Sequence, residues 1–390
     1  MLPSSSPFND RIKIYTQPEL GKAWLNKYKD KQPVFTCTLG FTKTALIPNI
    51  STAGATPESR CYTAIADAEF LVNGVGEKPP QYPLPPLDAG ISPVFISRTV
   101  VEKFKIPTYV FNAGVLTPPS VKHIDLQGQP AQCVSTGQAL PLSTVKHLYE
   151  QGLEWGRKLA QNHPERYLIL SECVVAGTTT ALGVLTALGI SAKDKVNSSH
   201  PVCNHQQKWD IVQQGLKKMH QQSLKQKNDD DYNLDPFTIV SGIGDPMQIV
   251  VAGMAISASQ TTGVMLAGGT QMLAVFALIK ALAKKEKHKE KNSFDIRWEN
   301  IIVGTTRWVA EDPTGDTIGL ASLLENVCVC ATQLNFSTSN YESLRKYEAG
   351  FVKEGVGAGG SAICAHLLGL DNQELLILIE AIISRFQMVT

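Results

Sequence analysis

Two glutamates and a set of short glycine- and threonine-rich stretches carry the residues suited to chemistry. Glu172 follows the apolar run Leu168-Ile169-Leu170 and precedes Ala176-Gly177-Thr178-Thr179-Thr180. Small residues and hydroxyls placed there let backbone N–H groups reach an anion, with a helix dipole behind them. The chemistry expected is phosphate binding beside one carboxylate; the competing reading is that the threonines merely cap a helix. Glu354 stands directly before Gly355-Val356-Gly357, where backbone can approach a ligand closely. A carboxyl desolvated in such a pocket has a raised pKa and serves as a base. The competing reading is a solvated glutamate beside Lys353. Gly244-Asp245-Pro246 and Gly268-Gly269-Thr270-Gln271 are two further turns of the same type.

Other motifs carry less. Gly355, Gly357 and Gly360 match GxGxxG, but a dinucleotide fingerprint needs a hydrophobic strand immediately before it. Here Tyr347 to Glu354 read as helix or loop, and the acids about twenty residues on, Glu374 and Glu380, fall inside a terminal helix. His200, Cys203 and His205 match no common zinc spacing and read as a solvated loop. Asp229, Asp230 and Asp231 read as surface. Cys328 and Cys330 read as neighbours on one strand face. No metal site is expected.

The elements that must position these residues follow from periodicity. Strands are expected at Pro33 to Leu39, Pro93 to Ser97, Thr108 to Asn112, Leu168 to Leu170, Phe237 to Ser241, Gly263 to Ala267 and Ile301 to Thr305. Helices are expected from Glu58 to Leu71, from a Ser143 cap to about Ala160, through Trp209, Val212, Leu216 and Met219, and from Gln373 to Phe386. Asp245 reads as an N-cap with Pro246 at the first helical position, in a helix running to about Ser259. Repeated strand–turn–helix units imply right-handed crossovers and a doubly wound, mostly parallel, three-layer Rossmann-like α/β sheet. Its glycine turns then gather at one edge. The proline-rich stretch 79–93 reads as a connection, and a smaller helical part is expected from the chain ends. The expected division is 1–32, 33–345 and 346–390.

With 390 residues and 43% hydrophobic content, the chain can bury a sizeable core. A net charge of +1 gives no case for nucleic acid or a membrane surface. Eight scattered cysteines without a CxxC pair, and an N-terminus lacking the apolar core of a signal peptide, point to a reduced cytoplasmic setting. The uncharged stretch Thr261 to Ile279 is broken by Gly268 and Gly269, so it reads as strand, turn and buried helix instead of a membrane span.

Taken together, Glu172 with its threonines, Gly244-Asp245-Pro246-Met247-Gln248, Gly268-Gly269-Thr270 and Glu354-Gly355-Val356-Gly357-Ala358 resemble the nicotinate-nucleotide–dimethylbenzimidazole phosphoribosyltransferases. The resemblance is strongest to their divergent archaeal and cyanobacterial branch, and spans about Val34 to Leu368. It implies transfer of ribose 5-phosphate from nicotinate mononucleotide, or a related nucleotide, to dimethylbenzimidazole or a similar base, giving α-ribazole 5′-phosphate for the lower ligand of cobalamin. By motif it implies Glu354 as general base and Glu172 as a second acid. It implies Gly177, Thr178, Thr179 and Thr180 as phosphate holders, with Gly244, Asp245, Gly268, Gly269, Thr270, Gly355 and Gly357 completing the substrate site. It also implies a homodimer, small-molecule substrates and no cofactor. The main branch has glycines where this chain has Val174 and Ala176, and Arg-Gly-Thr-Gly where this chain has Ser198-Ser199-His200-Pro201. Two alternatives stand beside this reading: a catalytically silent nucleotide-binding or regulatory homologue, and a dinucleotide-dependent oxidoreductase.

Overall fold

The computed structural model describes residues 10–76, 79–84, 90–226, 235–287 and 295–389. Among them eight strands form one sheet: β1 (Ile12–Ile14), β2 (Val34–Leu39), β3 (Thr108–Asn112), β4 (Ile124–Asp125), β5 (Leu168–Cys173), β6 (Val264–Ala267), β7 (Ile301–Thr306) and β8 (Cys328–Thr332). The strand order is β1-β8-β7-β6-β5-β2-β3-β4. Neighbours run parallel except β1, which pairs antiparallel with β8. The expected α/β fold is the one the chain adopts.

Strands β2, β5, β6, β7 and β8 are buried at every residue, as strands covered on both faces must be. Alternation divides their side chains between two separate cores. Val34, Leu168, Leu170, Val264, Leu266, Ile301 and Val303 pack against helices Leu142–Asn162, Gly177–Ala187, Pro246–Ser259 and Thr270–Lys287. Phe35, Cys37, Ile169, Met265, Ile302, Cys328 and Cys330 face the other way. They meet Pro18–Tyr28, Thr63–Asn73, Val94–Phe104, Ala358–Leu367 and Asn372–Val389, so helices from both chain ends and the two that follow β2 build that second layer. The broad apolar face of the terminal helix is used within the chain: Phe386 meets Phe70 and Phe95 edge-on. Helix Pro246–Ser259 is buried at all 14 positions. A Cβ on Gly152 or Gly156 would lie 2.4 Å from the Val250 carbonyl or 2.3 Å from that of Met254, so these glycines set how closely two helices cross.

From β2 the chain winds outward to β3 and β4; from β5 it winds the opposite way to β6, β7 and β8. The adjacent pair β2 and β5 is therefore the topological switch point, and the crevice beyond its carboxyl ends is where ligands bind in such sheets.

Three expectations are corrected. Phe237 to Ser241 is not a strand but part of helix Pro236–Ile243. A five-residue segment with three apolar residues suits a buried strand or a buried helix turn equally, and Pro236 at the first helical position favours the helix. Gly244 and Asp245 consequently join two helices and do not end a strand. Pro93 to Ser97 likewise lies at the start of helix Val94–Phe104. The helix expected from a Ser143 cap begins at Leu142 after Pro141, with no side-chain cap. The N-cap role of Asp245 holds, as a full capping box with Gln248. The stretch Thr261 to Ile279 folds as β6, a glycine turn and a helix, as expected. Among the described residues no helix is long and apolar enough to cross a membrane. Pro85, Pro86, Asp229, Asp230 and Asp231 lie outside the described residues.

Candidate active site

A pocket of about 130 Å³ opens at the switch point and brings both glutamates together. Glu172 is the fifth residue of β5, only 4% exposed, and its Oε2 accepts the Val174 N–H at 2.9 Å. Burial pushes its pKa up to about 8; Gln271 opposes the shift, and the nearby Asp245 and Glu354 charges add to it. Glu354 reaches the pocket from the far end of the chain. Its carboxylate accepts N–H groups of Thr306 at 3.0 Å, Gly355 at 3.2 Å and Gly359 at 3.1 Å, and the Thr305 hydroxyl at 3.2 Å. These donors favour the charged form, but burial outweighs them and raises its pKa to about 7. The two carboxyls thus stand near the neutral range, where a proton moves either way.

Three helices begin around this pocket. Ala176, in the left-handed region at φ 64°, caps helix Gly177–Ala187. Gly177 and Thr178 line the cavity from its first turn. Gly269, Thr270 and Gln271 line it from the start of Thr270–Lys287. Glu354, Gly355 and Val356 lead into Ala358–Leu367. Convergent helix starts favour an anion. Two buried hydroxyls on the wall, those of Ser198 and Thr270, have no hydrogen-bond partner among the described residues. A buried polar atom left unmatched costs free energy that a bound ligand would relieve.

The remaining expected residues stand behind the wall. Thr180 donates to Asp245 at 2.5 Å, and Asp245 also accepts the N–H groups of Met247 and Gln248, so that carboxylate is engaged within the protein. Thr179, Gly244, Gly268 and Gly357 do not line the cavity. Gly357 does steric service: a Cβ there would lie 2.5 Å from that of Ser171. His200 bonds the Asn49 carbonyl, His205 that of Thr314, and Cys203 faces Asp312, so the three do not converge. Among the described residues no group of three His, Cys, Asp or Glu is placed to hold a metal ion.

Sequence reasoning missed several wall residues. Lys353 lines the pocket and forms an ion pair with Asp312, which does not; each side chain is 2% exposed. Burial pushes the Asp312 carboxyl up, but Lys353 and Asn197 outweigh that and hold it below the usual range. Val352 and Lys353 both sit in the left-handed region, at φ 64° and 67°, which is costly for a β-branched residue. The Ser199 carbonyl accepts the Val352 N–H, and Thr306 donates to the Lys353 carbonyl, so the strained turn is pinned beside Glu354. Ser51, Thr52 and Asp67 complete the wall. The one sequence signal for this group was the Ser198-Ser199 pair in a loop after a helix.

The likeness to solved structures agrees with this architecture. CobT from Thermus thermophilus superposes with a TM-score of 0.57 at 13% identity, over 92% of this chain and 89% of that one. A nicotinate-nucleotide–dimethylbenzimidazole phosphoribosyltransferase from the same organism gives 0.54 at 12%, over 95% of this chain and 91% of that one. At such identities the likeness speaks to the fold. No family model matches the chain. Relatives by sequence are far nearer. A UPF0284 protein of Gloeothece citriformis is 59% identical over 375 residues, covering 96% of this chain and 97% of the relative. Another, from Rippkaea orientalis, is 58% identical over 374 residues, covering 96% and 98%. These relatives are cyanobacterial; the archaeal side of the expected branch finds no support in them. Identity of that order along nearly the whole of both chains leaves one assignment, and the chain belongs to the UPF0284 protein family.

Proposed function

We propose that this protein is a phosphoribosyltransferase that moves ribose 5-phosphate from nicotinate mononucleotide, or a related nucleotide, to a benzimidazole-like base. The observation that carries the reading is the pairing, in one pocket, of one buried and one half-buried carboxyl, both with raised pKa, and the starts of two helices. The donor's phosphate lies against Gly177, Thr178, Gly269 and Thr270, whose N–H groups and hydroxyl suit an anion. The acceptor ring lies at the Glu354 end. Its nitrogen attacks C1′ of the ribose, the C1′–nicotinate bond breaks with its electron pair leaving on nicotinate, and Glu354 takes the proton from the ring. Glu172 stands by the sugar; protonated below about pH 8, its carboxyl orients the substrate there, and above that pH its carboxylate stabilises developing positive charge at C1′. The likeness in fold to a nicotinate-nucleotide–dimethylbenzimidazole phosphoribosyltransferase supports the choice of donor and acceptor.

The test is incubation with nicotinate mononucleotide and dimethylbenzimidazole, reading nicotinate and α-ribazole phosphate by chromatography. Wild type yields both. Glu354→Gln lowers kcat/KM by roughly a hundred- to ten-thousandfold, the usual worth of a positioned base. The wild-type rate rises with pH through about 7, as Glu354 loses its proton, and the variant lacks that limb. Nucleotide binding without release of nicotinate across a series of bases would instead identify a silent binding protein and end the enzymatic reading.

A further inference from the structure

Asp67 is a third carboxylate on the pocket wall, and the proton transfer described above makes no use of it. It projects from helix Thr63–Asn73 and is 4% exposed. Its Oδ1 accepts the Ser92 hydroxyl at 2.7 Å, and its Oδ2 accepts the Cys173 thiol at 3.4 Å. Neither donor is charged. Burial pushes its pKa up to about 6, so it is ionised at pH 8.

Its position relates it to the Glu354 end of the pocket, where the acceptor ring is placed above. Ser92 leads into Pro93, and a Cβ on Gly355 would lie 3.3 Å from the Pro93 ring. The Asp67–Ser92–Pro93 wall therefore adjoins Glu354-Gly355, while the Cys173 thiol ties Asp67 to the end of β5 beside Glu172. The same pocket is lined by apolar Ala53, Pro93, Val174, Val175 and Val356 as well as by hydroxyls such as that of Thr63. A carboxylate offers about four acceptor positions. A buried one with only a hydroxyl and a thiol as donors is stabilised by a further N–H and destabilised by a methyl group that strips its remaining water.

We propose that Asp67 is a specificity-determining residue: it selects acceptor bases that present an N–H donor, such as a ring amino group, over bases bearing methyl groups on the same edge. This rests on the transferase reading for the word acceptor, but not for the binding preference. A site built to hydrogen-bond a substrate N–H discriminates strongly against the analogue lacking it.

The experiment compares an amino-substituted benzimidazole with the methyl-substituted benzimidazole of the same shape. Binding is measured by calorimetry, and nicotinate release from nicotinate mononucleotide by chromatography, both at pH 8. Wild type is expected to bind the amino base at least about tenfold tighter. Asp67→Leu collapses that preference to within about threefold, or reverses it, and shifts KM for the two bases in the same sense. Asp67→Asn, which keeps the shape, serves if the leucine variant does not fold; it narrows the preference while its melting temperature stays near wild type. Equal affinity for both bases in wild type, binding of neither base, or a preference untouched by both substitutions overturns the assignment. Discriminating binding without nicotinate release leaves Asp67 in its role and removes the transferase reading.

Discussion

Lys353 and Asp312 are held in a place where neither has water to fall back on. Each side chain is 2% exposed, and Asp312 gathers further donors from Asn197 and Thr314. Removing one partner of such a pair leaves a desolvated charge, which costs about 3–5 kcal/mol, whereas replacing both by apolar residues is often neutral. Lys353→Met is therefore expected to lower unfolding free energy by about that amount in urea titrations, and the double variant Lys353→Met with Asp312→Leu to recover much of it. A single-variant loss under about 1 kcal/mol would mean the pair is not desolvated. The same pair explains what the sequence conveys about the site and what it does not. Glu172 and Glu354 are legible because each directly precedes small residues, a local sign of close approach. Asp67 and the Asp312 partner of Lys353 carry no such sign, because what places them is a partner far off in sequence: Lys353 for Asp312, Ser92 and Cys173 for Asp67.

The helix Ala358–Leu367 delivers Glu354 to the pocket, and it does so by lying almost on the sheet. A Cβ on Gly359 would stand 2.1 Å from the Thr305 carbonyl carbon, and one on Gly360 would stand 2.5 Å from the Ala267 Cβ. Gly360, one of the glycines that spell a dinucleotide motif, thus serves helix–strand contact at the end of β6, and its neighbour Gly359 does so at the end of β7. Gly359→Ala is expected to destabilise by at least the 1–3 kcal/mol typical of overpacking, and to weaken nucleotide binding by shifting the N–H that holds Glu354. Gly183→Ala is the control. It lies inside helix Gly177–Ala187 with its nearest neighbour at 3.4 Å, an ordinary contact, so helix propensity makes it neutral or stabilising by up to about 1 kcal/mol. Thermal unfolding of the two variants separates them; equal effects would sink the packing account. Element type was legible where length decided it, as in the Leu142–Asn162 helix. It was not legible for Phe237 to Ser241, where a short segment fits both periods, and where the Ser241 and Gly242 carbonyls at the helix end are taken up by the distant Leu140 and Ala139 N–H groups.

Across the whole molecule, gathering carboxyls in one dry crevice sets how stability varies with pH. Glu172, Glu354, Asp67 and Asp245 are all pushed up by burial, to about 8, 7, 6 and 6. A carboxyl whose folded pKa exceeds its unfolded one stabilises the fold fully below the unfolded value, and that stabilisation is lost as pH rises through the folded value. His366 acts in the opposite sense: burial lowers it to about 4, so it gives back stability as pH rises toward about 6.5 and little beyond. Lys208, lowered to about 8, is charged in both states below that pH and adds no slope there. Between about pH 6.5 and 8 the slope therefore belongs chiefly to Glu172, with a smaller share from Glu354. One extra proton held by the folded chain is worth about 1.4 kcal/mol per pH unit, so wild type is expected to lose on the order of 2 kcal/mol across that interval. Urea titrations at both pH values, at constant ionic strength, measure it. Glu172→Gln removes the titrating group and is expected to flatten the dependence while raising stability at pH 8, where the wild-type carboxyl is half ionised without a cation beside it. A wild-type stability that is level or rising over the interval would mean that water or a counter-charge reaches Glu172, and the crevice would then not be the dry site that the transfer chemistry requires.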